Sequence, residues 1–564
     1  MHSWHSVLAI AIAMPLASHA VAAQTPALSM AGRSPVYAPR GVIATSQPLA
    51  TAAGLAVLER GGNAVDAAVT AAAVLSVVEP MMTGIGGDMF CLEWSAKEHR
   101  LLALNGSGRA GSLMTAGELH RRGHTRMPAR GAETITVPGA LAGWDALLKR
   151  SGTFTLAQAL EPAIRLAEEG FPVSPIIQQD WAAQAALLAK DDGARSTFLV
   201  DGQRAPRTGE WFRNPDYART LKLIATDGPG VLYGGALGLQ LVARVHELGG
   251  FLTIDDLRNH TVEWVTPISA TFRGYRVWEL PPNGQGVAVL EMLKILEPYD
   301  LKAMGQGSAT SLHHLIEAKK LAYADLRQFV GDAIPARTAA HLLSASFIAQ
   351  RRAQLDSKRA ATRTDPGSAL TASETIYLSV ADAQGNMVSF INSLFDEFGS
   401  GVVVPGTGFA LHDRGQAFTL EAGMPNTVAP GKRPFHTLIP GFVTKPKPGA
   451  ESDALQDEPW MSFGLMGGSM QAQGHVQFLL NVLVFGNDVQ QAIDAPRFRH
   501  SEGTRVWLEP PIGADVRAAL AALGHAPSDA PQIHAFGGAQ AIVRLQRGWM
   551  AGSDPRKDGM AAGH

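Results

Sequence analysis

Two stretches of the chain carry groups whose type and spacing could do chemistry. Thr375 opens the run Thr375-Ile-Tyr-Leu-Ser-Val380, directly after a polar, charged connector over residues 351–374 that is poor in large apolar side chains. A threonine hydroxyl is a poor nucleophile until a base takes its proton. A suitable base lies within reach when threonine is the first residue of a chain, because its own α-amine titrates near neutrality. Thr375 can act in this way only if the Glu374–Thr375 bond is cut, leaving residues 375–564 as a separate chain. On local grounds alone, a threonine opening a strand is more often structural. The second stretch is Gly464-Leu-Met-Gly467-Gly468-Ser469, between a strand-like run and a helical run from Gln471 to Leu483. Consecutive N–H groups at a helix N-terminus form a donor pair suited to an oxyanion. The same residues also fit an ordinary strand–helix turn.

Other reactive patterns are missing. The chain holds no G-x-S-x-G nucleophile elbow and no H-E-x-x-H zinc pair. Gly106-Ser-Gly-Arg-Ala-Gly111 matches the dinucleotide string, but the next helix signal begins only at Thr115, so it reads as a tight loop. Met82-Thr-Gly-Ile-Gly-Gly-Asp88 lacks the Lys-Ser/Thr ending of a phosphate loop and reads as a close backbone crossing behind a helix over 63–78. His313 and His314 are adjacent, so on a helix they face different ways. Neither a metal nor a cofactor is expected.

The elements that must position these groups follow from periodicity. Ile376, Leu378 and Val380 share one face of a strand, and Thr375, Tyr377 and Ser379 the other. Ala383-Gln-Gly-Asn386 is a turn, and Met387-Val-Ser-Phe-Ile391 runs back. A hairpin centred between Gln384 and Gly385 sets residue 375 opposite about residue 394, with Ser393 beside Thr375 to within a residue or two. Helices are expected at 50–60, 63–78, 139–150, 156–169, 215–226, 237–249, 286–296 and 311–329. Thr115-x-x-Glu118 is a capping box opening a short one.

Composition narrows the classes. With 46% hydrophobic and 17% charged residues the chain can bury a large core. Lys+Arg 48 against Asp+Glu 50 gives no basic field for nucleic acid or an anionic membrane. The single cysteine, Cys91, excludes an intrachain disulfide and a cysteine-based zinc site. Residues 7–16 are apolar but too short to span a bilayer, and small residues up to Ala23 offer cleavage points, so residues 1–23 read as a signal peptide. The expected location is periplasmic or secreted. The apolar stretch Ala67 to Val78 suits a buried helix, and no membrane span is expected.

Seven segments, in order, resemble the γ-glutamyltransferase (glutathione hydrolase) family. They are Gly61-Gly-Asn-Ala-Val-Asp-Ala-Ala-Val69, Thr83-Gly-Ile-Gly-Gly-Asp88, Val137-Pro-Gly-Ala140, Lys320-Leu-Ala-Tyr-Ala-Asp325, Thr375-Ile-Tyr-Leu-Ser-Val380, Lys432-Arg-Pro434 and Gly467-Gly468. The resemblance implies an α/β (α+β) fold, the αββα sandwich of N-terminal-nucleophile hydrolases. It also implies a proenzyme that cuts itself at Glu374–Thr375 into a large chain (24–374) and a small catalytic chain (375–564). Thr375 then matches the family's nucleophile, Ser393 its supporting hydroxyl, and Gly467 and Gly468 the oxyanion donors.

The substrate side departs from the family. Its asparagine after the second hydroxyl is Phe395 here. Arg414 and Ala417 stand where glutamine and aspartate grip an α-amine. His436-Thr437 replaces a serine pair, and the family's carboxylate-binding arginine falls on Ser107, with Arg109 two residues along. Losing an aspartate and gaining Arg414 removes a counter-ion for an ammonium and supplies a donor fork for a carboxylate or oxo group. Arg109, Arg414, His436 and Thr437 are the expected substrate-binding residues. Phe395-Asp-Glu-Phe-Gly-Ser400 and Leu411-His-Asp-Arg-Gly415 resemble a divergent branch with oxamate amidohydrolases and cephalosporin acylases. The expected partners are a small-molecule amide, either γ-glutamyl or carboxylate-bearing, and the two chains of one precursor. The expected activity is amide hydrolysis or acyl transfer on a γ-glutamyl or related acyl group. The alternatives are a hydrolase of non-γ-glutamyl amides and an exported binding protein without catalysis.

Overall fold

The alternation along the strand Glu374–Ala381 decides how the molecule is layered. In the computed structural model, which describes residues 32–332, 336–362, 374–446, 457–531 and 533–564, Ile376, Leu378 and Val380 join a core built with the helix Ala64–Val78. Tyr377 instead enters a second apolar layer with Phe90, Ile391, Phe442 and Ile542. The expected signal peptide and residues 363–373 of the connector lie outside the described residues. Ser34–His564 form one unit.

Two seven-stranded antiparallel sheets carry the fold. The first runs Met560–Gly563, Val42–Thr45, Glu374–Ala381, Met387–Phe395, Asp88–Ser95, Arg100–Gly106, Glu263–Val265. The second runs Val36–Ala38, Trp549–Ser553, Ala539–Arg544, Glu458–Leu465, Gly441–Lys445, Tyr275–Glu279, Ile268–Phe272. Ala64–Val78 and Ala140–Ser151 cover the first sheet, with Leu156–Glu169 packed on Ala64–Val78, and Gly286–Leu296 and Met470–Leu483 cover the second, with Ala309–Phe329 packed on Gly286–Leu296. This is the αββα sandwich the resemblance implies.

Local sequence explains the elements. The eight expected helices all form, each starting within two residues of its expected position. Asn63 and Asp66 cap Ala64–Val78 reciprocally, with Asp66 N–H on Asn63 Oδ1 at 3.0 Å and Asn63 N–H on Asp66 Oδ2 at 2.9 Å. Every residue of that helix is buried, which accounts for its apolar run. At Thr115 only half of the box forms, the Glu118 N–H donating to Thr115 Oγ1 at 3.1 Å. Among the described residues no helix is long and apolar enough to cross a membrane.

The hairpin differs from expectation by one residue. Asp382 Oδ1 accepts from the N–H groups of Gln384 (3.0 Å) and Asn386 (2.9 Å), fixing the turn. Pairs then run from Ala381↔Met387 to Ile376↔Asn392, after which the ladder jumps to Glu374↔Phe395. Thr375 alone therefore faces both Ser393 and Leu394. The bulge re-aims the strand end where the candidate nucleophile sits.

The two sheets touch along a short polar seam. Ser379 Oγ and Ser462 Oγ lie 2.5 Å apart, and Ser389 Oγ donates to the Phe463 carbonyl at 3.2 Å. Between them the Tyr377 ring crosses Gly464 so closely that a Cβ there would stand 2.3 Å from Cε2. Two residues further along the chain from Tyr377 and Gly464 stand Thr375 and Met466, the residue before Gly467.

Candidate active site

At the end of that seam Thr375 and Ser393 are fully buried, and the Thr375 hydroxyl donates to Ser393 Oγ at 3.1 Å. Ser393 Oγ also accepts from the Phe395 N–H at 2.7 Å. Phe395 holds φ 79°, a left-handed conformation costly for a bulky residue, at the strand's end. Its ring lies 4.1 Å from the Arg414 guanidinium. Arg414 is fully buried on the short helical turn Arg414–Ala417, and its Nη1 donates to Thr437 Oγ1 at 3.0 Å. Its Nε and Nη2 have no hydrogen-bond partner among the described residues.

Gly467 and Gly468 sit between Glu458–Leu465 and Met470–Leu483 with φ of 112° and 59°. Successive residues in this region turn their N–H groups to one side, as anion-binding turns do. Neither amide meets a protein acceptor among the described residues. The carbonyl of Gly468 is anchored instead, accepting from Gln285 Nε2 at 2.9 Å. The same Nε2 donates to the Thr437 carbonyl at 2.7 Å. Gln285 thereby ties the glycine turn to the segment that holds Arg414.

Beneath Arg414 lies a buried carboxylate that sequence reasoning missed. Asp88 Oδ2 is 3.1 Å from His436 Nε2, 3.4 Å from His412 Nδ1 and 3.9 Å from Arg414 Nε. Burial alone would raise the Asp88 carboxyl, but His412 and His436 hold it well below the usual range. Burial, with Arg414 alongside, pushes His436 down to about 3, so the ring is neutral. Its Nδ1 accepts from the Leu438 N–H at 3.2 Å, which leaves Nε2 as the donor to Asp88. Burial also lowers Arg414 to about 10, against the pull of Asp88, Asp413 and Asp396, and the guanidinium stays charged at neutral pH. The signal for Asp88 was present, since it closes the glycine-rich Met82–Asp88 stretch that reads as a backbone crossing. Gln285 carried no signal.

On the far side of Phe395 a second acidic group forms. Gln416 Nε2 donates to Asp396 Oδ2 (2.9 Å) and Asp413 Oδ2 (2.7 Å), and the Asp396 N–H donates to Asp413 Oδ1 at 3.1 Å. Burial, then the charge of Asp396, raises the Asp413 carboxyl to about 8.

The structure thus brings Thr375, Ser393, Phe395, Arg414, His436, Thr437, Gly467 and Gly468 into one connected cluster. It does not bring Arg109 there. Both arms of that guanidinium are committed elsewhere, Nη2 to Glu263 at 2.8 Å and Nη1 to Asp332 at 3.1 Å and the Gly431 carbonyl at 3.0 Å. Those partners turn the side chain outward, and it is one-third exposed. Ser107, the position on which the family's arginine falls, is buried with its hydroxyl on Asn105 Oδ1 at 2.7 Å.

Among the described residues one trio of buried side chains brings metal-ligand atoms within 4.8 Å of one another, His313, Glu317 and His525. Hydrogen bonds already engage all three, with only His525 Nδ1 left without a partner among the described residues. His313 Nε2 donates to the Asp356 carbonyl at 2.8 Å, so its Nδ1 accepts from His525 Nε2 at 2.8 Å. Lys320 Nζ holds Glu317 Oε1 at 2.7 Å. The trio is not part of the cluster around Thr375.

Residues 50–564 match the family Gamma-glutamyltranspeptidase. The chain belongs to this family. The glutathione hydrolase-like YwrD proenzyme of Bacillus subtilis is 36% identical over 94% of this chain and 99% of its own length. The oxamate amidohydrolase proenzyme of Klebsiella pneumoniae is 34% identical over 93% and 98%. The crystal structure of cephalosporin acylase from Bacillus halodurans superposes with a TM-score of 0.87 at 41% identity, covering 96% of this chain and 98% of that one. The family's hydrolase and transferase members share the N-terminal-nucleophile sandwich seen here, and this chain is one of its enzymes.

Proposed function

We propose that the chain is an exported, self-processing amidohydrolase whose preferred acyl group ends in a carboxylate. One observation carries the acyl preference: Arg414 is a buried, charged guanidinium with two N–H arms that find no acceptor. Leaving such donors unpaired costs about 1–3 kcal/mol, and a ligand carboxylate would recover it through a charge-assisted fork. An α-ammonium finds less here. The carboxylates around Arg414 are already engaged, Asp88 by His436 and His412, and Asp396 and Asp413 by Gln416 and, at 3.8 and 3.5 Å, by Arg130. That disfavours γ-glutamyl transfer or glutathione hydrolysis as the main activity. An exported binding protein without catalysis finds no support in a site that keeps both hydroxyls and the glycine pair.

Processing comes first. Thr375 Oγ attacks the Glu374 carbonyl, and the peptide becomes an ester. Water hydrolyses the ester to leave the Glu374 carboxylate and a free Thr375 amine. In turnover that amine takes the hydroxyl proton as Oγ attacks the substrate carbonyl. The Gly467 and Gly468 amides receive the oxyanion, each such donor contributing about 3–4 kcal/mol to the transition state. The leaving amine departs with the proton, and water, or an acceptor amine, resolves the acyl-enzyme. Residues 1–23 serve as the export signal.

The test is a panel of amides of one chromogenic amine bearing glutaryl, uncharged pentanoyl or γ-glutamyl groups. The wild-type enzyme should favour glutaryl. Arg414→Met should raise KM for glutaryl by about 10–100-fold, the weight of a charged hydrogen bond, with far less effect on pentanoyl. Thr375→Ala should be inactive on all three. A γ-glutamyl preference in the wild type, or equal losses for both acyl groups in Arg414→Met, would remove Arg414 from the acyl pocket.

A further inference from the structure

Two carboxylates stand beside Arg414 without pairing with it. Asp413 is its neighbour in sequence, and Asp396 follows Phe395, whose ring covers the guanidinium. Both are buried, yet among the described residues neither forms an ion pair with Arg414. Arg130 takes them instead, its Nε 3.8 Å from Asp396 Oδ2 and its Nη1 3.5 Å from Asp413 Oδ2. Gln416 Nε2 donates to the same two oxygens. Arg130 is anchored in turn. Its Nη1 donates to the carbonyls of Glu397 (2.8 Å) and Gly399, and the N–H of Gly131 donates to the Ser400 carbonyl at 3.0 Å. These contacts brace a turn in which Phe395 and Phe398 hold left-handed φ values of 79° and 57°. Such conformations persist only where the surroundings fix them. Arg130 lies before the Glu374–Thr375 bond, whereas Phe395, Asp396, Asp413, Arg414 and Gln416 lie after it.

We infer that Arg130 is a specificity-determining positioning residue: by holding Asp396 and Asp413, it keeps the Arg414 fork open to an anionic acyl group. The inference rests on the acyl reading of Arg414 proposed above. A buried guanidinium and a buried carboxylate pair wherever they can reach, because each is otherwise desolvated without a counter-ion. The charges of Asp413 and Asp396 are felt at Arg414. Pairing with either would occupy Nε or Nη2 before a ligand arrived. Gln416 alone does not prevent this, since a neutral amide supplies hydrogen bonds but no counter-charge. Arg130 supplies that charge, and its other hydrogen bonds fix it to the loop that carries Asp396. Its removal would release carboxylates that either neutralise Arg414 or offer a counter-ion to an α-ammonium. One residue ahead of the proposed cut thereby sets the charge preference of a pocket whose guanidinium lies after it.

The test compares glutaryl, pentanoyl and γ-glutamyl amides of one chromogenic amine, with the whole enzyme. Arg130→Met should raise KM for glutaryl by about 10-fold, the weight of a charged hydrogen bond lost to a competing carboxylate, while kcat and the pentanoyl KM stay within about twofold. The γ-glutamyl amide should gain on glutaryl. Arg130→Lys, which keeps the charge, should restore most of the glutaryl preference. In an Asp396→Asn/Asp413→Asn background, Arg130→Met should no longer change the glutaryl-to-pentanoyl ratio. If Arg130 only braces the loop, glutaryl and pentanoyl will lose equally and the loss will persist in the asparagine background; that result overturns the inference. Should Arg130→Met fail to fold, Gln416→Leu weakens the same clamp without touching the loop carbonyls. It should lower the glutaryl-to-pentanoyl ratio in the same direction, and an unchanged ratio counts against the clamp. A wild-type enzyme without glutaryl preference would sink the acyl reading and this inference with it. A glutaryl preference that survives Arg130→Met would leave the acyl reading standing and remove Arg130 alone.

Discussion

A guanidinium keeps its proton across the pH range in which proteins are folded, whereas a carboxyl group can escape burial by taking one up. Arg414 and Glu291 show the two outcomes. Arg414 remains charged with Nε and Nη2 unbonded, the basis for proposing it as a receptor for an anion. Glu291, on the helix Gly286–Leu296, also has an unbonded oxygen, but burial, only partly offset by Arg351, raises its carboxyl to about 8. It is therefore neutral in the folded chain at pH 7. The folded value lies above the unfolded one, so its contribution to stability is complete below about 4.5 and is lost as pH rises through about 8. Within that window each pH unit costs about 1.4 kcal/mol. Glu291→Gln removes the titration. The melting temperature of the wild type, measured against Glu291→Gln, should fall steadily from about pH 4.5 to 8 and level beyond it. A difference that stays flat across the window would mean Glu291 is ionised in the fold. Residue types alone flagged Thr375 and the glycine pair as able to do chemistry, and the family's pattern pointed to Arg414. Asp88 escaped notice because its partners His412 and His436 lie more than three hundred residues away, where no local period links them.

At the scale of elements, the site depends on how closely the two sheets approach. Strand alternation and the turn at 383–386 were enough to place Ser393 beside Thr375. The bulge that makes Thr375 face both Ser393 and Leu394 leaves no mark in composition. The packing of the sheets was equally hidden, because it turns on the absence of one side chain. At Gly464 a methyl group would stand 2.3 Å from Tyr377 Cε2 and 2.5 Å from Cδ2, inside a fully buried layer. Gly464→Ala must push the sheets apart or tilt the ring, and overpacking of this kind costs about 1–3 kcal/mol. The separation would be felt two residues further on, between Thr375 and the glycine turn. Gly464→Ala should lower thermal stability and slow appearance of the cut chains. A double-mutant cycle with Tyr377→Leu should return a coupling energy of at least 0.5 kcal/mol, the size seen for side chains in contact. If the two substitutions prove additive, the Tyr377–Gly464 contact does not set the spacing.

At the scale of the whole molecule, a cut at Glu374–Thr375 would give two chains that share both sheets. In the first sheet the strands Glu374–Ala381 and Met387–Phe395 lie between Val42–Thr45 and Asp88–Ser95, while Met560–Gly563 caps the far edge against Val42–Thr45. In the second, four strands from residues 441–553 are flanked by Val36–Ala38 on one side and Tyr275–Glu279 on the other. Separating the chains would break a ladder on both sides of the central hairpin and expose long apolar edges to water. Such a cut would therefore free one amine without loosening the fold. Intact mass under denaturing conditions should show two chains, the smaller beginning at Thr375, whereas native chromatography should show them migrating as one particle. Thr375→Ala should give a single chain under both conditions. Residues 375–564 expressed alone should be insoluble, since the hairpin would lack both flanking strands. A soluble, folded fragment would show that the small chain has a core of its own, and the sheets would then be a contact surface between two domains rather than one shared structure.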